Sequence, residues 1–191
     1  NLNCDIYFTS YLKRAIKTLE IILKVIGKNN KYTKAWELNE RHYGALTGLN
    51  KDEMKKKYGE EKIHEFRRSW DMSPDPLSRN NPYHPLNIEI YKDIPKDKIP
   101  DTESLKNTYE RVVPYFENNI YKKLEKNIVV AAHGNSVRAL CKYLFKLNEK
   151  DISKLEIPTG NPLLLEFNNK KILQNARYLD KKRAKDLIIF S

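Results

Sequence analysis

Long apolar runs are missing from this chain. No stretch approaches the roughly 20 residues of a membrane span, and no signal peptide opens the sequence, so a cytoplasmic protein with no membrane partner is expected. Cysteine is scarce: Cys4 and Cys141 are the only two, and no CxxC pair exists. A structural disulfide is therefore not expected, and reduced thiols are the simpler reading. Neither HExxH nor an acidic loop occurs, which leaves a metal site without support, and no metal is expected. Internal repeats and low-complexity stretches are absent too. The composition, 32% charged and 40% hydrophobic, is that of a soluble globular protein.

Positive charge is in excess. Lysine and arginine number 36 against 25 acids, a formal charge of +11. Such an excess fits nucleic acid, a membrane surface or an anionic metabolite. Runs such as Lys55-Lys56-Lys57 and Lys181-Lys182-Arg183 read as solvated helix faces. The basic residues are not interleaved with exposed aromatics and no nucleic-acid fold signature appears, so no nucleic-acid partner is expected. At 191 residues the chain is long enough for one domain with a real core.

Strands and helices alternate along it. Asp5–Phe8 reads as a buried strand, followed by a helix cap at Thr9-Ser10. Apolar residues from Leu12 to Ile26 recur at three and four, an amphipathic helix that Gly27 stops. Tyr32–Leu38 predicts a strand, and Lys51–Tyr58 and Glu60–Trp70 predict helices with a break at Gly59. Asp71 to about Thr102 holds six prolines in a long loop insertion, of a length usual for lids or binding loops. A helix over Ser104–Lys123, a strand over Asn127–Ala132 and a helix capped by Ser136 and running to Leu147 come next. Pro162–Phe167 and Lys171–Tyr178 predict a β-hairpin, and the tail from Leu179 reads as helical. The whole is an α/β three-layer sandwich, with helices on both faces of a mainly parallel central sheet.

The densest chemistry lies in Asn39–Thr47, where Glu40, Arg41, His42 and Tyr43 place a carboxylate, a guanidinium, an imidazole and a phenol in consecutive positions. A second cluster, Ala132–Ser136, puts His133 where a strand ends and a helix begins. Ligands of α/β sheets bind there, and helix N–H groups favour anions. Gly134 allows close backbone approach, and Asn135 adds an amide. Arg14, one turn into its helix, is expected near the same sheet edge. Arg67 and Arg68 are adjacent at the end of a helix and point in different directions there, so at most one binds a substrate group unless the helix is ending. A guanidinium grips phosphate or carboxylate in a bidentate way that lysine does not match. Together these residues point to a small, strongly anionic substrate.

These segments closely resemble the cofactor-dependent phosphoglycerate mutases of the histidine phosphatase superfamily. The resemblance is carried by Trp36–Leu46, Gly48–Lys51, Tyr58–Glu61, Arg67–Asp71, Glu103–Lys106, Glu110–Val112, Ala131–Ser136 and Pro158–Gly160, in order, with Tyr7–Ala15 similar to the family's second strand and following helix. It implies interconversion of 3-phosphoglycerate and 2-phosphoglycerate, in glycolysis and gluconeogenesis, through a phosphohistidine and bound 2,3-bisphosphoglycerate as phosphoryl donor. It also implies Glu40 as general acid–base for the substrate hydroxyl and bridging oxygen. His133 is implied as donor to the transferring group, and Arg14 and Asn135 as its neighbours. Arg41, Tyr43, Lys51, Arg67 and Arg68 match positions that hold the substrate's carboxylate and phosphate. Family members commonly form homo-dimers or homo-tetramers.

The chain also departs from the family. Its four histidines are His42, His64, His84 and His133, and none stands in the Arg-His-Gly-Glu motif that carries the family's phosphorylated nucleophile. The glycine- and lysine-rich C-terminal tail is likewise not visible. The expectation is a single mutase-like domain over residues 1–191, incomplete at both ends and part of an ordinary mutase, because deleting a central strand would expose its neighbours' edges. The alternatives are a bisphosphoglycerate mutase or phosphatase of the same superfamily, and a non-catalytic relative that binds.

Overall fold

A computed structural model of the chain describes residues 3–29 and 31–184, together with all of their side chains except that of Lys51. Its centre is β1 (Ile6–Thr9), an apolar strand flanked by two parallel neighbours, β2 (Thr33–Lys34) and β3 (Ile128–Ala131), in the order β2-β1-β3. Tyr7 lies opposite Val129 and Phe8 opposite Val130, so alternate residues face opposite sides. Tyr7 and Val129 pack with Leu19 and Leu23 of α1 (Lys13–Val25). Phe8 and Val130 pack on the other side with α4 (Leu105–Tyr115) and α5 (Gly134–Leu144), through Leu105, Val112, Ala139 and Cys141. The parallel sheet therefore has helices on both faces, as the pattern predicts.

Other elements frame the site. α2 (Lys51–Tyr58) and α3 (Glu60–Arg68) meet at Gly59, whose φ of 79° lets the chain break between them. α2 starts with a complete capping box between Asn50 and Glu53. A short α6 (Glu149–Lys154), not anticipated from sequence, follows α5. β4 (Leu163–Phe167) and β5 (Leu173–Tyr178) form the expected antiparallel hairpin, as a sheet of their own. Among the described residues, no helix is long and apolar enough to cross a membrane.

Three expectations shift. Of the strand predicted over 32–38, Thr33–Lys34 forms strand, because Trp36–Leu38 coils into a 3₁₀ turn that buries Leu38 in the core and delivers Asn39 and Glu40 to the sheet's end. The helix predicted to Lys123 stays α-helical only to Tyr115. Pro114 lacks an N–H, and the side chains of Asn118 and Asn119 take the carbonyls of Pro114 and Tyr115, so the chain widens into a π-turn over Phe116–Ile120. The tail forms a 3₁₀ turn at Lys181–Arg183, and residues 185–191 of the predicted helix lie outside the described residues.

The long loop is packed. Tyr91, Ile94 and Ile99 make a small core with Trp36 and Leu12. Asp101 pins the loop by accepting from Arg79 and from the fully buried His84. It also crosses Gly44 so closely that a Cβ there would stand 2.2 Å from the Asp75 carbonyl oxygen.

Candidate active site

Parallel pairing brings the carboxyl ends of β1 and β3 side by side, and each strand leads directly into a helix. Ser10 follows β1 and His133 precedes α5, and both are buried. His133 Nε2 lies 2.8 Å from Ser10 Oγ, and its Nδ1 lies 3.3 Å from Arg14 Nη2. A guanidinium only donates, so Nδ1 accepts and Nε2 carries the proton to Ser10. Burial lowers the His133 pKa to about 4, with Arg14 and Arg111 acting in the same direction against Glu40. The ring is neutral at pH 7. Arg14 stands where its position in the sequence predicts.

Glu40 comes to the same place from the opposite side. Its Oε1 accepts from its neighbour Arg41 N at 2.8 Å, from Asn135 Nδ2 at 2.9 Å and from Asn135 N at 3.3 Å, so it sits on the N-terminus of α5. Among the described residues, Oε2 has no hydrogen-bond partner. The helix N-terminus that the sequence reading reserved for a ligand thus gives one of its N–H groups to Glu40. Asn135 Nδ2 also donates to Tyr43 Oη at 2.8 Å. Behind this group, Arg111 donates to the carbonyls of Glu37, Asn39 and Glu40 and holds Glu103 with two hydrogen bonds. Glu103 accepts from His42 N while its own N–H donates to His42 O. Burial alone would raise the Glu103 pKa, yet Arg111 keeps it below the usual range.

The cationic side is built differently. Arg41 is 2% exposed, stacks on Tyr43 at 4.6 Å and donates from Nη2 to Phe66 O at 2.6 Å. Among the described residues, its buried Nε and Nη1 have no hydrogen-bond partner. Arg68 pairs with Glu156, and Arg67 is exposed, so the adjacent arginines diverge as expected. Arg138 is buried, and its pKa falls to about 10 through burial, with Arg68 and Arg41 adding repulsion. Arg68 and Arg41 thus both lie close enough to oppose Arg138. Gly134 is exposed with open space around it, and Lys51 starts α2, its side chain outside those described. His42 rests its ring on Tyr91 at 5.8 Å, and burial lowers its pKa to about 4.

The histidine phosphatase superfamily (branch 1) matches residues 1–84 and 80–177. A Pelagibacter ubique protein named 2,3-bisphosphoglycerate-dependent phosphoglycerate mutase is 60% identical, over 99% of this chain and 80% of that protein. A protein of the same name from Maricaulis maris is 49% identical over 94% of this chain and 76% of that one. The chain belongs to this family of mutases. Among solved structures, a mycobacterial glucosyl-3-phosphoglycerate phosphatase shares the fold with a TM-score of 0.65 at 17% identity, covering 92% of this chain and 75% of that one. An alpha-ribazole phosphatase from Shigella flexneri does so with a TM-score of 0.63 at 16% identity, covering 91% and 73%.

Several residues that shape this candidate site carry no site role in the sequence reading. The sequence predicts Ser136 as a helix cap, but α5 begins at Gly134 with His133 in the capping position, and Ser136 Oγ instead donates to Leu38 O and Asn39 O. Ser10 is likewise predicted as part of a helix cap. The residue before α1 is Leu12, and Ser10 Oγ binds Leu12 N and His133. Arg111 and Arg138 carry a usable signal, since each is a charged residue among the apolar positions of its helix, Val112 and Val113 for one and Ala139 and Cys141 for the other.

Proposed function

We propose that this chain carries the acid–base and substrate-gripping machinery of a phosphoglycerate mutase, interconverting 3-phosphoglycerate and 2-phosphoglycerate by phosphoryl transfer. The observation that carries this reading is the contrast at Glu40-Arg41: a carboxylate anchored by one oxygen with the other free, beside a buried guanidinium with two unpaired nitrogens. Glu40 Oε2 takes the proton from a substrate hydroxyl and returns one to the bridging oxygen. Arg41, Tyr43, Arg67, Arg68 and Lys51 hold the carboxylate and phosphate, because phosphoryl transfer depends on positioning and positive charge. Arg14 turns from His133 Nδ1 to the phosphoryl oxygens. Ser10 Oγ can donate as well as accept, so the imidazole can move its proton to Nδ1 and donate it to the transferring group, with Gly134 and Asn135 at the helix start.

The same arginine-rich surroundings fit 2,3-bisphosphoglycerate, whose charge would meet the unpaired Arg41 nitrogens. When bound, it supplies the phosphoryl group that primes the cycle. None of the four histidines stands in an Arg-His-Gly-Glu motif, so none is assigned the phosphoryl-carrying role. We place the protein in the cytoplasm as a homo-dimer or homo-tetramer. A coupled assay of 3-phosphoglycerate turnover, with and without added 2,3-bisphosphoglycerate, tests the reading on protein expressed from the complete gene. Turnover that rises with 2,3-bisphosphoglycerate is expected, and none in either condition overturns it.

A further inference from the structure

We infer that Arg138 is a positioning residue for this reaction: it dictates which way the Asn135 side-chain amide faces, and so keeps an N–H donor on Glu40. This rests on the mutase reading above. Asn135 has one accepting and one donating end, and either could meet Glu40. Arg138 Nη1 lies 3.1 Å from Asn135 Oδ1, one helical turn away on α5. A guanidinium has five N–H donors and no acceptor, so only the oxygen end of the amide can face it. The NH₂ end is left to donate to Glu40 Oε1 at 2.9 Å and Tyr43 Oη at 2.8 Å. The reversed amide would press NH₂ against the guanidinium and oxygen against the carboxylate. Both contacts are repulsive, and Arg138 makes the first of them.

The fold fixes Arg138 itself. It is 5% exposed, and it donates from Nη1 to Arg67 O at 3.2 Å and from Nη2 to Ile152 O at 2.6 Å. Those carbonyls lie in the last turns of α3 and α6, where the helix dipole favours a cation. That compensation lets a guanidinium stay buried although Arg41 and Arg68 repel it. One side chain thereby joins the end of α3, which carries Arg67 and Arg68, to the amide that touches Glu40.

Three variants of the complete protein separate this role from a merely structural one. Arg138→Lys keeps a donor-only group, Arg138→Gln can show either end to Asn135, and Arg138→Met keeps volume without polarity. The expected order of kcat is unaltered protein, then Lys, then Gln and Met together. Met should lose about tenfold or more, with KM changed less than about threefold. In ¹⁵N-labelled protein the two Asn135 side-chain NH₂ protons should be widely separated in shift, remain so in Lys and converge in Gln. A folded Met variant with undiminished kcat overturns the inference, as does equal loss of kcat in Lys and Gln. If Met does not fold, the Lys and Gln pair decides. No turnover in the unaltered protein would instead count against the mutase reading, and the NH₂ signals still report the amide's orientation.

Discussion

Glu40 and Arg41 are neighbours in the chain, yet the fold saturates the surroundings of one and leaves the other short of partners. Around Glu40, one carboxylate oxygen takes three hydrogen bonds, and the backbone beneath is gripped by Arg111, Glu103 and Ser136. Arg41, buried more deeply than the half-buried Glu40, keeps two nitrogens without a partner among the described residues. An unpaired buried donor costs on the order of 1–3 kcal/mol, more when charged. The proposed function has a ligand supply the acceptor that Arg41 lacks, although Asn39 Nδ2 and Arg138 Nε are also buried without a partner among the described residues. A proton-transferring group gains from being held still, whereas a ligand-binding group has to keep its valences open. On the proposed roles, the two adjacent residues separate the acid–base half of the site from its gripping half.

Removing the acid–base group should have the largest effect. Glu40→Gln keeps an oxygen for the three anchoring donors but cannot exchange a proton. We expect turnover to fall by roughly 10²–10⁴-fold while 3-phosphoglycerate binding, followed by calorimetry, stays nearly unchanged. Unchanged turnover would remove Glu40 from the chemistry and dissolve the contrast.

Breaking the scaffold on the saturated side comes next. Arg111→Met leaves the Glu103 carboxylate buried without its cation, its side chain only 3% exposed. A loss of about 3–5 kcal/mol in urea denaturation is expected. Pairing it with Glu103→Leu should recover much of that stability, since two apolar groups can replace a buried ion pair. Turnover should not recover, because the Glu37 and Glu40 carbonyls still lack the donor that Arg111 supplied. A double variant restored in both properties would show that the pair serves stability alone.

Much of this contrast could be read from the sequence, and the part that could not has a common cause. The polar run Asn39–Thr47, the pairing of Arg14 with His133 and the divergence of Arg67 from Arg68 follow from local spacing and from the rule that parallel strands end together. The sandwich followed from alternating strand and helix patterns. Ser136 was misread because a serine at a helix start looks like a cap, while its hydroxyl bonds Leu38 O and Asn39 O nearly a hundred residues away in sequence. Arg111 and Arg138 likewise act on carbonyls that local periodicity does not bring near. The π-turn was available in principle, since Pro114 inside a predicted helix is a local warning.

Two neutral histidines also flank the site: His42, whose backbone meets Glu103, and His133, beside Ser10 and Arg14. Both have folded pKa values of about 4, below the ordinary 6.5, with burial the main cause. Between those values the unfolded chain binds protons that the folded chain refuses. The stability they contribute is thus complete above pH 6.5 and is lost as pH falls towards 4. We expect urea unfolding free energies to drop between pH 7 and 4.5, by on the order of 2 kcal/mol per ring. His42→Gln should remove about half of that slope and His133→Gln the other half. A flat profile in the unaltered chain would mean that the rings are solvated.

The mildest change tests the open half most directly. Arg41→Met retains much of the side chain's packing on Tyr43 and deletes a buried charge whose Nε and Nη1 have no partner. Because that charge lacks full compensation, its removal should leave stability unchanged or raise it by up to about 1 kcal/mol. Only Phe66 O loses a donor. Binding of 3-phosphoglycerate should weaken by roughly tenfold or more, as expected for a charge-assisted contact. Opposite signs for stability and affinity in one variant would distinguish a group kept for a ligand from one kept for the fold. If Arg41→Met instead lost stability and kept its affinity, the unpaired nitrogens would have no ligand role, and the boundary between the two halves would not fall between Glu40 and Arg41.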